Sequence, residues 1–204
     1  MNYFVTAIGT DSGKTVISAA LSLALEAKYW KPIQAGTPTD TSVIKQLTGG
    51  KVETVPERYI LNTPASPHYA AEVDDVKISI EDFSLPDEQN LIIEGAGGCL
   101  VPINKNDFVI DLAKPLNSEV ILVSNNYLGS INHTLLSLKY LKNADIKLKG
   151  IIFNGAPNPS TEEIIMHHAD CPCIYKVGQL ATIDADAVKS LSLKLKKRWN
   201  ELGW

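Results

Sequence analysis

The segment Gly9-Thr10-Asp11-Ser12-Gly13-Lys14-Thr15 holds the residue types that phosphate chemistry needs, in a usable order. Small residues let backbone N–H groups curl around phosphate oxygens, and the start of a following helix adds positive potential. A lysine there bridges phosphates and a threonine hydroxyl can ligate Mg²⁺, roles that fall to Lys14 and Thr15. The usual spacing puts the first glycine at position 8; this chain has Ile8 and supplies Gly9 instead, so the loop is a variant. As a plain helix start the same residues would leave Lys14 set against the helix dipole. The expected ligand is a nucleoside triphosphate, ATP, with Asp11 to Thr15 around its phosphates.

Two carboxylates and a second lysine belong to the same chemistry. Glu94 ends the apolar run Leu91–Ile93 and is followed by Gly95, Ala96, Gly97 and Gly98, which places it to complete a Mg²⁺ shell. Asp40 opens a short helix; it either caps that helix or supplies another hard oxygen to Mg²⁺, and the local pattern favours the cap. Lys31 reads as a solvated edge charge or, beside Lys14, as a group that stabilises negative charge on a transferring phosphoryl.

The elements that must position these residues follow from hydrophobic periodicity. It predicts strands over Tyr3–Ile8, Trp30–Gln34, Leu91–Glu94, Val120–Ser124, Gly150–Asn154 and Ile174–Val177. Helices are predicted over Val16–Tyr29, Asp40–Leu47, Ile131–Asn143, Thr161–His168 and Asp184–Asn200. The Pro-rich stretch Thr48–Pro86 is expected to form irregular surface excursions around the site. Unbroken apolar strands alternating with helices predict an α/β fold, doubly wound, with a mainly parallel sheet and helices on both faces. In such a sheet ligands sit beyond the carboxyl ends of the strands, where the three marked segments fall.

At 204 residues the chain suits a single domain over 1–204. Its formal net charge of −4 gives no reason to expect nucleic acid or an anionic membrane as partner. A first strand that begins almost at Met1, with no apolar run long enough to span a bilayer, predicts a cytoplasmic protein. Cys99, Cys171 and Cys173 read as reduced thiols, and the spacing around His167, His168, Asp170 and the cysteine pair matches no familiar tetrahedral metal site.

Taken in order, GTDSGKT, Lys31-Pro32-Ile33-Gln34-Ala35-Gly36, Ser66-Pro67-His68, IIEGAGG, Leu128-Gly129-Ser130-Ile131-Asn132-His133 and Asn154 resemble the dethiobiotin synthetase family over essentially the whole chain. The resemblance implies a P-loop NTPase-like fold and a homodimeric, Mg²⁺- and ATP-dependent ligase of biotin synthesis. Such an enzyme closes a ureido ring on 7,8-diaminopelargonate with CO₂ or bicarbonate, through a carbamate and a carbamic-phosphoric anhydride. It implies further that Lys14 and Lys31 are catalytic and that Thr15, Asp40 and Glu94 hold Mg²⁺. Asp11, matching a position where the family often has Glu, lines the nucleotide loop with Ser12 and Gly13, and Gly95, Ala96 and Gly97 flank the nucleotide. Asn154, with Gly155, matches the adenine-reading Asn, although an Asn-Gly pair is also an ordinary turn. Ala181, Thr182 and Ile183 match a second adenine contact by position. Thr10, Lys31, Ala35 and the helix opening at Gly129, Ser130, Ile131 and Asn132 are implied to bind substrate, the helix being donated by the partner subunit. Ala35 departs from the Ser or Thr usual there, and the short span from Lys31 to Asp40 trims a loop that is longer in some relatives.

The alternative is a switch-type ATPase of the partitioning and positioning class, which shares the fold. Those proteins place a signature lysine five residues before the P-loop lysine, where this chain has Gly9. The basic residues Lys194, Lys196, Lys197 and Arg198 near the end of the chain read as the solvated face of a last helix. An ATP-dependent amidation enzyme of corrin synthesis would need a glutaminase domain for which there is no room.

Overall fold

The computed structural model describes residues 1–86 and 90–204. The chain runs β1 (Asn2–Ala7), α1 (Lys14–Ala24), β2 (Lys28–Trp30), β3 (Ile33–Ala35), α2 (Asp40–Leu47), β4 (Thr54–Val55), β5 (Tyr59–Leu61) and α3 (Pro67–Val73). It continues with β6 (Leu91–Glu94), β7 (Ser118–Asn125), α4 (Ser130–Asn143), β8 (Leu148–Asn154), α5 (Pro159–His168), β9 (Cys173–Lys176) and α6 (Ala185–Glu201). The main sheet has seven strands in the order β4-β2-β6-β1-β7-β8-β9, paired in parallel throughout, and β3 pairs with β5 in a small separate parallel sheet. Because β1 lies between β6 and β7 and the chain crosses to either side of it, the loop leaving β1 opens at the switch point of the sheet.

The period of two along each strand sorts side chains between two cores. Tyr3, Val5 and Ala7 of β1 pack on one face with Ile17 and Leu21 of α1, Ile44 of α2, and Val188, Leu195 and Trp199 of α6. Phe4 points the other way, into a layer with Ala70 and Ala71 of α3, with Val109, Ile110, Leu112 and Ala113, and with Leu141 of α4. A smaller cluster seats Ile165 of α5 on Ile151 and Phe153 of β8. Each fully buried aliphatic side chain contributes about 1.5–3 kcal/mol. Among the described residues no helix is long and apolar enough to cross a membrane.

Three sequence expectations need correction. The helix predicted over Val16–Tyr29 stops at Ala24: Glu26 adopts φ +53, and Lys28–Trp30 leave to join the sheet. Ala27, just ahead of β2, and Tyr29 within it are buried, so their apolar character served the sheet while fitting a helical period. The strand predicted over Trp30–Gln34 is two strands in two sheets, broken at Lys31-Pro32, where proline lacks the N–H that a continuous ladder would use. The stretch Thr48–Pro86 is more than surface excursion, since it supplies β4, β5 and α3 and buries Leu61, Ala70, Ala71, Ile78 and Phe83 in the second core.

Candidate active site

The loop from Ile8 to Gly13 carries the chain from β1 into α1. Gly13 is the N-cap of α1 at φ +86, and a Cβ there would lie 2.3 Å from Asn154 Nδ2. Only glycine fits both constraints. Among the described residues no side chain caps α1, and no acid occupies its first turn, so its N-terminal amides and positive end are open to a ligand. Lys14 is 7 % exposed and its Nζ donates to the Gly9 carbonyl at 3.4 Å. The Ser12 hydroxyl lies 3.0 Å from the Gly9 carbonyl and 2.8 Å from Asn125 Oδ1, tying the loop to the end of β7.

Beside this loop the ends of β2 and β6 and the start of α2 bring charged groups together. The cap of α2 is Thr39, whose side chain accepts from the Ser42 amide at 3.1 Å, so Asp40 is not the cap that its local pattern favoured. Its carboxylate is free for other work: Oδ1 lies 3.2 Å from the Thr15 hydroxyl and Oδ2 2.6 Å from Lys31 Nζ. Glu94, 1 % exposed at the end of β6, has Oε1 3.0 Å from the Thr15 hydroxyl and 3.2 Å from Lys31 Nζ. Its Oε2 accepts from the Tyr29 hydroxyl at 3.2 Å. Lys31 is 4 % exposed and also donates to the Gly95 carbonyl at 3.2 Å, so it is no solvated edge charge.

The two lysines are driven apart electrostatically. Burial lowers the Lys14 pKa, and although Glu94, Asp40 and Asp11 oppose that, the net shift is downward, with the Lys31 charge adding to it. Burial pulls Lys31 down as well, but Glu94 and Asp40 outweigh it and hold the ammonium above its ordinary value. The Tyr29 phenol is pushed well up, chiefly by burial and then by Glu94, and stays protonated as a donor.

A cleft of about 700 Å³ opens over these groups. Of the residues singled out in the sequence, Thr10, Asp11, Gly13, Lys14, Thr15, Lys31, Ala35, Asp40, Glu94, Ala96 and Gly97 line it. Ser12 is buried beneath, and Gly95 packs so closely that a Cβ would sit 2.9 Å from Phe4 and Val109. Asn154 Nδ2 donates to the Ser12 carbonyl at 2.9 Å, so the end of β8, with Gly155, adjoins the loop. Gly129, at φ +105, opens α4 away from the cleft lining; Ser130 is buried there, while Ile131 and Asn132 are exposed. Ala181, Thr182 and Ile183 are exposed just ahead of α6 and do not line the cleft either.

Sequence reasoning passed over Tyr29, Pro64 and Ala65, and it quoted Gln34, Ser66 and Pro67 within motifs without giving them a part. Gln34 Oε1 accepts the Asp40 amide at 3.0 Å and its Nε2 donates to the Gly36 carbonyl at 3.1 Å, so one side chain sets where α2 begins. Pro64 rests on Gly36, where φ is +77 and a Cβ would meet Pro64 at 2.5 Å. The one available signal was adjacency: Gln34 and Gly36 stand in the same short motif as Lys31.

Thr15, Asp40 and Glu94 suit a small hard cation, because their oxygens converge within hydrogen-bond reach of the Thr15 hydroxyl. Among the described residues no group of three or more His, Cys, Asp or Glu side chains could hold a metal unaided. One hydroxyl and two carboxylates are a donor set for an ion that takes few protein ligands.

A family model described as an AAA domain matches residues 1–187. The ATP-dependent dethiobiotin synthetase of Cytophaga hutchinsonii is 48% identical over 203 residues, spanning 98% of each chain. That of Christiangramia forsetii is 43% identical over 205 residues, spanning 98% of this chain and 99% of its own. Among solved structures, the cell division ATPase MinD of Pyrococcus furiosus matches with a TM-score of 0.60 at 15% identity, covering 98% of this chain and 99% of that one, a likeness of fold alone. With such identity along nearly its full length, this chain belongs to the dethiobiotin synthetase family.

Proposed function

We propose that the chain is a cytoplasmic, ATP-dependent dethiobiotin synthetase, working as one unit over 1–204, that joins CO₂ to 7,8-diaminopelargonate and releases ADP and phosphate. The observation that carries this reading is the meeting of Lys31 with Asp40 and Glu94 beside the Lys14 loop, in one cleft. One amine of the diamine adds to CO₂ and loses a proton, forming a carbamate. A carbamate oxygen attacks the γ-phosphorus of ATP and ADP leaves. The second amine then attacks the carbonyl carbon, phosphate departs and the ureido ring closes.

Each residue has a defined part. Lys31, held charged, offers fixed positive charge to the carbamate and to the moving phosphoryl, and its burial removes the water that would screen it. Lys14 and the amides of Asp11 to Thr15 hold the phosphates. Thr15, Asp40 and Glu94 would hold Mg²⁺, which supplies neutralisation of phosphate charge. Asn154 and Gly155 take the base, with Ala181 to Ile183 as a second contact. Thr10 and the Ala35 backbone border the diamine. Gly129 to Asn132 offer uncapped helix amides to its carboxylate from a second copy of the chain, which makes a homodimer the working form.

The test is phosphate release from ATP with Mg²⁺ and bicarbonate, with and without 7,8-diaminopelargonate. Turnover should depend on the diamine; equal hydrolysis in its absence would sink the assignment and favour a switch-type ATPase.

A further inference from the structure

At the carboxyl end of the sheet, away from Lys31, a buried carboxylate sits between two loops and has no part in the chemistry above. Glu162 of α5 is 3 % exposed. Its Oε1 accepts from the Asn126 Nδ2 at 2.7 Å and from the Asn158 amide at 3.1 Å, and its Oε2 pairs with Lys176 Nζ at 2.8 Å. Asn126, just past β7, holds the same region from the other side. Its amide donates to the Asn154 carbonyl at 3.0 Å and its Nδ2 to the Ala156 carbonyl at 3.0 Å. Two acceptors facing Nδ2 fix the orientation of this carboxamide, and its buried Oδ1 meets no hydrogen-bond partner among the described residues. A buried acceptor left unmade is costly, so the arrangement is held by what Nδ2 gains.

What these two side chains grip is the segment 154–158, which carries Asn154, and the end of β9, from which the chain runs on to Ala181–Ile183. Val177 is tied to the same place, its amide donating to the Phe153 carbonyl at 2.9 Å. Asn154 in turn reaches the phosphate loop through the Ser12 carbonyl and fills the space beside Gly13. The carboxylate of Glu162 thus anchors the segment that carries Asn154 and, through Lys176, the strand end from which the chain runs on toward Ala181–Ile183.

We propose that Asn126 and Glu162 are positioning residues for nucleobase recognition, setting Asn154 and the β9 exit at a fixed height over the phosphate loop. The inference rests on Asn154 as the base-reading residue. It predicts that the clamp contributes to binding of the base and nothing to binding of the phosphates.

The experiment compares Kd for ATP with Kd for inorganic tripolyphosphate, which has phosphates and no base, in the full-length protein. Asn126→Ala and Glu162→Gln should weaken ATP by about tenfold, the scale of one or two lost hydrogen bonds, and leave tripolyphosphate unchanged. Lys176→Met removes one arm from a half-exposed position and serves if the buried variants fold poorly; it should weaken ATP about threefold on the same scale. Equal weakening of both ligands, or of neither, overturns the proposal by reducing the clamp to general support. Asn154→Ala separates the layers of the argument. If it lowers ATP affinity selectively while the clamp variants do not, the positioning role alone is overturned. If it too leaves the ATP-to-tripolyphosphate ratio intact, the base reading of Asn154 falls, and this inference with it.

Discussion

Gly13 shows how one residue can answer to several demands. Alanine at φ +86 would incur about 1–2 kcal/mol of backbone strain and would also drive its Cβ into the Asn154 carboxamide. Gly13→Ala should therefore cut turnover about a hundredfold or more, an estimate based on displacement of reacting groups, with ATP affinity falling in parallel by calorimetry. Lys14→Ala and Lys31→Met should each abolish diamine-dependent phosphate release, but they differ in stability. Lys31 neutralises Asp40 and Glu94 in a buried setting, so its removal should lower unfolding free energy by about 3–5 kcal/mol in a denaturant titration, whereas Lys14, whose burial disfavours its charge, should cost much less. Normal turnover in either variant would remove that lysine from the mechanism. At this scale the sequence was legible where chemistry is local: the order Gly13-Lys14-Thr15 announces itself. It was not legible for Tyr29, whose partner Glu94 lies far along the chain, and the local pattern left Asp40 divided between a cap and a metal oxygen until Thr39 proved to hold the cap.

Elements set these residues by their ends. The break at Pro32 sends Lys31 out of the main sheet at its carboxyl edge, and β3 then carries Gln34 to the start of α2. Gln34→Ala would leave the Asp40 amide without its acceptor and let the first turn of α2 drift, at a cost of about 1–3 kcal/mol in stability. A shift of the Asp40 carboxylate from Lys31 and Thr15 should then reduce kcat/KM about tenfold, consistent with the sensitivity of reacting groups to small misplacements. Titration with Mg²⁺ at saturating ATP should show a higher metal requirement, and an unchanged requirement would mean that α2 is held by other contacts. Element reading succeeded where period and punctuation agreed, as for α2, α4 and α6, whose observed bounds lie within a residue or so of those expected. It failed between Leu25 and Gln34, because Ala27, Tyr29 and Trp30 satisfy a helical and a strand period alike and only the left-handed turn at Glu26 decides between them.

Across the whole molecule, the sheet divides its labour about β1. The β2 and β6 side gathers the charges of Lys31, Asp40 and Glu94, and the β7, β8 and β9 side holds the clamp built on Glu162. The doubly wound parallel sheet was readable from unbroken apolar strands, which have no stable place except between two helical layers. The clamp was not, since it joins residues from four separate elements whose meeting depends on strand order. That clamp gives the fold an acid dependence of definite sign. Burial alone would raise the Glu162 pKa, but the Lys176 ion pair and the donors from Asn158 and Asn126 outweigh it and hold the carboxyl below its ordinary value. A carboxylate with a depressed folded value stabilises the native state above its unfolded value, about 4.3, and that contribution fades as pH falls through the lower folded value. Denaturant unfolding from pH 7 down to pH 3 should therefore show the wild-type protein more stable than Glu162→Gln at neutral pH, with the gap closing only below about pH 4. A gap that persists unchanged to pH 3 would mean that packing rather than charge holds Glu162, and a gap that closes nearer neutrality would mean that its carboxyl titrates high, against the donors that surround it.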